Sequence, residues 1–210
     1  MLALAAPVGQ NVLLQGVSWR LYEQFLVEIG DSHSMHLAFD NGSLEISVPT
    51  PHHEVPNRIL SNLVTLVCLE KGISALDFGA STFRNETALK GCEPDTAFYI
   101  QSEPAVRARL DINLEFDPPP DLVIEVDYTH PSLAKLPIYA GLGVPEVWLS
   151  EGFEVEFYRL VKGSYQKVRS SLALPFLDSE TVTGFLRKGL AEERIKWLRQ
   201  VQDWARNAAQ

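Results

Sequence analysis

Two periods of apolar residues run along this chain, and the switches between them mark its elements. From Ser18 to Ile29, Tyr22, Phe25, Leu26 and Ile29 fall at i, i+3, i+4 and i+7, which predicts one helix face. Ser18 can cap the start of that helix and Gly30 can end it. In "HLAFDNGSLEISV" the period drops to two on either side of Asn41-Gly42, the dipeptide favoured in tight hairpin turns. Pro49 and Pro51 close that strand region. From His53 to Glu70 the helical period returns, with Ile59, Leu60, Leu63, Val64 and Val67 on one face and Gly72 just past the end.

The second half reads mostly as strands. One is expected near Ser74 to Phe78, followed by a loop through Lys90, and "PDTAFYI" at 94–100 is the next. Ser102 to Pro120 is polar and proline-bearing, a loop with one helical turn. "DLVIEVDY" is a strand, and a short helix follows over Pro137 to Leu142. Gly143 and Pro145 then make a turn, with Trp148 in the core. "PEVWLSE", "FEVEFYRL" and "SYQKVRS" are three successive strands, with turns at Glu151-Gly152 and Lys162-Gly163. The tail from Ser179 is helical, and Trp197, Val201 and Trp204 give it an apolar stripe at i, i+4 and i+7. This order of elements predicts an α/β (α+β) chain, a mixed sheet flanked by helices.

No repeat or internal domain boundary interrupts the pattern, and 210 residues suit one domain. The expected divisions are an N-terminal arm over 1–17, a main domain over 18–188 and an amphipathic C-terminal helix over 189–210. The first residues, "MLALAAPVGQNVLL", are apolar but lack a basic start and contain Pro7, so they read as an arm rather than a signal peptide. No stretch approaches the ~18 apolar residues of a membrane span. Cys68 and Cys92, the only cysteines, make neither a zinc site nor a disulfide framework, so the cytoplasm is the expected setting. The net charge of −9 argues against broad nucleic-acid gripping. It leaves room for a local basic patch at an acidic metal site.

The chemistry gathers in "PPPDLVIEVD", residues 118–127. Strand alternation puts Leu122, Ile124, Val126 and Tyr128 on one face and Asp121, Val123, Glu125 and Asp127 on the other. A buried carboxylate without a partner costs several kcal/mol. Either this is an edge strand with one wet face, or its acids hold a cation. Asp121 and Glu125 are ~13 Å apart along an extended strand and cannot share one ion, whereas Glu125 and Asp127 are ~6.6 Å apart. A second carboxylate from another strand would serve better, and Asp95 in "EPDTAFYI" is the natural candidate.

An acid on one strand and a second acid on the next resembles the PD-(D/E)XK nuclease superfamily, with Pro94-Asp95 as its PD and Glu125-Val126 opening its (D/E)X. "NGSLEISVPTPHHE", "GCEPDTAFYI", "DPPPDLVIEVDYTHPSLAKLPIYAGLGVPEVWL" and "YRLVKGSYQKV" are more specifically similar to the Uma-two family of restriction-endonuclease-like nucleases. The resemblance runs from about Ser18 to Leu186. It implies a restriction-endonuclease-like mixed sheet flanked by helices, with an added N-terminal hairpin and C-terminal helix. It also implies that Asp95, Glu125 and the carbonyl of Val126 bind Mg²⁺ or Mn²⁺, which activates a water against a DNA phosphodiester.

The superfamily lysine should stand two residues after Glu125, where this chain has Asp127. Similar families carry it on the following helix, which makes Lys135 the matching candidate; the other reading of Lys135 is a solvated loop residue. Pro137 biases Leu136 away from helical geometry, which places Lys135 on the loop before the helix. Glu54 matches the helix-borne glutamate of such sites, with helix capping as the competing explanation. His53, Glu45 and Asp127 are further neighbours expected near the site. Tyr139 is expected to pack, and Asp121 to begin its strand and bond nearby backbone. His36 stands where much of the family has a glutamate.

The resemblance implies an endonuclease acting on DNA. Two other readings stay open: a nuclease-like fold that only binds nucleic acid or protein, and a metal hydrolase with a different substrate. The C-terminal stripe either packs on its own domain or pairs with a second subunit as a homodimer.

Overall fold

A computed structural model describes residues 11–30, 35–48, 51–127 and 133–208. The first ten residues of the expected arm, Pro49 and Tyr128 lie outside the described residues.

The chain builds two sheets rather than one. Strands β1 (Asn11–Gln15), β2 (His36–Asp40) and β3 (Ser43–Ser47) join two later strands, β5 (Phe83–Asn85) and β6 (Lys90–Cys92). Their order is β1-β3-β2-β6-β5, with every pairing antiparallel. The expected hairpin turns at Asn41-Gly42, and both residues have positive φ, 46° and 91°. Residues 11–15, expected in the arm, pair with β3. The β5–β6 hairpin falls where a loop was expected. Its strands are three residues each, too short to show a period.

Helix α1 (Trp19–Ile29) covers this small sheet. Ser18 caps it by accepting the Leu21 N–H, and Gly30 ends it with positive φ. Tyr22 is fully buried and stacks on Phe39 at 4.9 Å. That stack closes a separate core with Leu37, Leu44 and Ile46.

The large sheet holds β4 (Leu76–Gly79), β7 (Thr96–Tyr99), β8 (Leu122–Asp127), β9 (Glu146–Glu151), β10 (Glu154–Val161) and β11 (Ser164–Val168). Its order is β11-β10-β9-β8-β7-β4, and only β8 and β9 are parallel. A parallel pair needs a crossover, which α4 (Lys135–Leu142) supplies. The acidic strand β8 therefore lies in the middle of the sheet, so the wet-edge reading does not hold.

The two faces of β8 divide as alternation requires. Leu122, Ile124 and Val126 join the main core under α2 (Pro51–Lys71), α5 (Ser179–Ala191) and α6 (Arg194–Asn207). Val123 joins the core under α4, with Ile138, Tyr139 and Leu142. Glu125 shares Val123's face.

The C-terminal tail is two helices, with a break after Ala191, rather than one helix over 189–210. Trp197 and Val201 are fully buried in the main core against α2, and each large apolar side chain so buried contributes about 1.5–3 kcal/mol. The stripe is thus covered within the chain, and the reason for expecting a second subunit there is removed.

Candidate active site

A cavity of about 540 Å³ opens where the hairpin β2–β3, the start of β7, the end of β8 and helix α4 meet. The pairs Ala97–Val123 and Thr96–Ile124 bring the start of β7 alongside the end of β8. One step further along that register, Asp95 and Glu125 face the same cavity. These are the two acids that the sequence brought together across 30 residues of chain. The Asp95 carboxylate accepts the backbone N–H of Val126 at 2.7 Å through Oδ2. Its Oδ1 lies 3.6 Å from His36 Nδ1 on β2.

Glu125 is 4% exposed, and donors meet both its oxygens. Lys135 Nζ donates to Oε2 at 2.6 Å, and the Tyr139 hydroxyl donates to Oε1. The Cys92 thiol donates in turn to the Tyr139 oxygen at 3.3 Å. Burial pushes the Glu125 carboxyl up to about 7; Lys135 pulls it down and Asp95 pushes it further up. Burial works to lower the Lys135 pKa, but Glu125, Asp95 and Cys92 outweigh it, so the net shift is upward and the ammonium stays charged.

Lys135 is the first residue of α4, not a loop residue before it. Pro137 is the third helical residue, where the N–H has no intrahelical partner, so a proline costs little there. Glu45 faces the same cavity from β3 at 2% exposure. It accepts the Leu133 N–H at 2.9 Å and so ties the hairpin to the start of α4. His53, Val126 and Asp127 also line the cavity. Val126 gives its N–H to Asp95 while its side chain packs in the main core.

Glu54 is not brought to the site. It lies in the first turn of α2, is half exposed, and stands 3.6 Å from Arg58 one turn on. The capping and pairing explanation fits this placement better than the ligand one. Asp121 accepts the N–H groups of Ile100 and Ser102 and the Ser102 hydroxyl at 2.7–3.0 Å, as a strand anchor away from the cavity. Tyr139 is the residue that sequence reasoning undervalued. Its spacing of four from Lys135 was visible, but nothing in the sequence showed that both reach one carboxylate.

The donor set fits a small hard dication. Mg²⁺ usually keeps several waters and takes only one or two carboxylates, which Asp95 and Glu125 can supply. Among the described residues no group of three His, Cys, Asp or Glu side chains is arranged to hold a metal. Water or substrate oxygens would therefore have to complete the shell.

The comparisons with known proteins agree with this architecture. A crystal structure described as a "putative nuclease belonging to DUF820" from Anabaena variabilis ATCC 29413 matches with a TM-score of 0.51 and 16% identity, over 77% of this chain and 96% of that one. At that identity the likeness shows the fold alone, a mixed arrangement of strands and helices shared by the two chains. No curated protein matches the chain significantly. The sequence model of the Uma2 family, described as "Putative restriction endonuclease", matches residues 19–191, most of the chain. The chain belongs to the Uma2 family.

Proposed function

We propose that this protein is a divalent-cation-dependent endonuclease that hydrolyses DNA phosphodiester bonds. The observation that carries the reading is the convergence of Asp95, Glu125 and Lys135 in one cavity. The Uma2 description supports the nuclease class.

Asp95 and Glu125 are the residues that would hold Mg²⁺ or Mn²⁺, with the Val126 carbonyl as a third oxygen between Glu125 and Asp127. When bound, the ion polarises the phosphodiester and lowers the pKa of a coordinated water. The chain's own groups do the rest. Lys135, kept charged by the acids around it, offsets phosphate charge and orients the water. This gives it the role of the superfamily lysine, from the helix instead of the strand. His53 stands at the wall within reach of a phosphate or water. Glu45 acts further back, fixing the segment from which Lys135 projects. Cys68 and Cys92 are free and buried, which suits a reducing compartment such as the cytoplasm.

The test is cleavage of plasmid and branched DNA with Mg²⁺ or Mn²⁺ by the wild type, Asp95→Ala and Glu125→Ala. Cutting by the wild type alone is expected. Equal cutting by all three would sink the reading.

Two observations favour a second reading, a nuclease-like fold that binds nucleic acid or protein without cutting. Lys135 and Tyr139 already engage both oxygens of Glu125, and the net charge is −9. That reading predicts no cation binding at Asp95 and Glu125. Calorimetric titration with Mn²⁺ separates the two: a site present in the wild type and lost in Glu125→Gln excludes the binding-only protein.

A further inference from the structure

We infer that Tyr139 is a positioning residue, whose hydroxyl holds the Glu125 carboxylate in the orientation that receives the cation. The inference rests on the proposed metal site and goes beyond it, because it assigns work to a group outside the acid–acid–lysine set.

Lys135 and Tyr139 are four residues apart on α4 and so share one face of the helix. They reach one carboxylate from that face and take one oxygen each. A carboxylate oxygen has two lone pairs, so each oxygen keeps one after its donor is placed. Two fixed donors stop the carboxylate from turning about its terminal bond. The orientation is set before an ion arrives, and no ordering cost falls on binding.

Packing alone does not require this hydroxyl. The Tyr139 ring is fully buried among Ile138, Leu142 and Val147, and a phenylalanine would fill the same space. The direction of the hydroxyl proton is also fixed. Cys92 donates to the Tyr139 oxygen at 3.3 Å, so the single hydroxyl proton is committed to Glu125. The chain from thiol to hydroxyl to carboxylate therefore points one way.

The experiment compares wild type, Tyr139→Phe and Tyr99→Phe. Tyr99 is equally buried, but its hydroxyl donates to the Pro118 carbonyl at 2.9 Å, away from the cavity. Mn²⁺ affinity is read by calorimetry, plasmid cleavage by kcat and KM, and folding by thermal melting. Tyr139→Phe should fold, bind Mn²⁺ about ten-fold more weakly and lose kcat by at least as much, as supporting partners of metal ligands commonly do, with KM for DNA little changed. Tyr99→Phe should match wild type in Mn²⁺ affinity. Unchanged affinity and kcat in Tyr139→Phe overturn the inference, and so does an equal loss in Tyr99→Phe. A wild type that binds Mn²⁺ but cuts no DNA defeats the nuclease reading alone, since the Mn²⁺ comparison still judges Tyr139. A wild type that binds no Mn²⁺ overturns both.

Discussion

The Asp95 carboxylate accepts the backbone N–H of Val126 at 2.7 Å. One oxygen of the proposed ligand thus also splices β7 to β8 beyond their last paired residues, so Asp95 has a structural task beside its proposed chemical one. The two tasks separate by substitution. Asp95→Asn keeps a carbonyl oxygen for the Val126 N–H and loses the charge, so it should melt close to wild type and bind Mn²⁺ far more weakly. Asp95→Ala leaves that N–H without its partner, at a cost of about 1–3 kcal/mol. For a chain of this size that is a melting drop of roughly 2–12 °C. Thermal melting and calorimetry on both variants check the pair of outcomes.

Glu125 and Lys135 form a buried ion pair at 2.6 Å, and such pairs are costly to break from one side. Lys135→Met should leave Glu125 with Tyr139 alone and destabilise the fold by about 3 kcal/mol. The lower end of the usual range applies because the lysine side chain keeps 20% exposure. Adding Glu125→Gln removes the stranded charge. The double variant should therefore recover about 1–2 kcal/mol relative to Lys135→Met, a non-additivity expected of residues in contact. Denaturant unfolding of the four proteins measures it, and strict additivity would show that the pair is not coupled.

Periodic segments were legible in the sequence; the joins between sheets were not. α1, the Asn41-Gly42 hairpin, α2 and the strands from β7 onward each carry enough residues for a period to show. β5 and β6 do not, and with them went the second sheet. Asp95 and Glu125 were readable because their flanking segments resemble a known family. Tyr139 was not, because a tyrosine on an apolar helix face looks the same whether its hydroxyl points at a carboxylate or at nothing. Glu54 shows the opposite error. A helix-start glutamate satisfies a motif, yet its helix sets it beside Arg58 and off the cavity wall.

The cavity should respond to pH through Glu125. Burial raises its carboxyl to about 7, whereas the unfolded chain releases that proton near pH ~4.3. The folded state therefore keeps a proton that the unfolded state gives up. This group's contribution to stability is complete below pH ~4.3 and is lost as pH rises through about 7. Cation binding runs the other way, because it needs the carboxylate. Mn²⁺ affinity should climb as pH passes about 7 and level off above it. Calorimetric titrations from about pH 5.5 to about pH 8.5 bracket the window. An affinity that is flat across it would show that Glu125 is ionised throughout.

Glu146 is a buried acid of another kind, and it separates stability from chemistry. It is 0% exposed at the start of β9 and away from the cavity. Its oxygens accept the Trp148 indole N–H at 2.7 Å, the Ser171 hydroxyl at 3.1 Å and the N–H groups of Leu172 and Ala173 at 2.7 Å. Four donors on one carboxylate tie β9 to the loop that leads into α5. Glu146→Gln keeps one oxygen and turns the other into an amide NH₂ facing donors. The expected cost is about 3 kcal/mol, from donors left unmet in the interior. That is a melting drop of roughly 6–12 °C for a chain of this length. Plasmid cleavage per folded molecule should be unchanged well below the melting point, since no cavity group is touched. Melting and cleavage measured on the same preparation decide it. Lost cleavage with intact melting would move Glu146 from the frame of the protein into its chemistry.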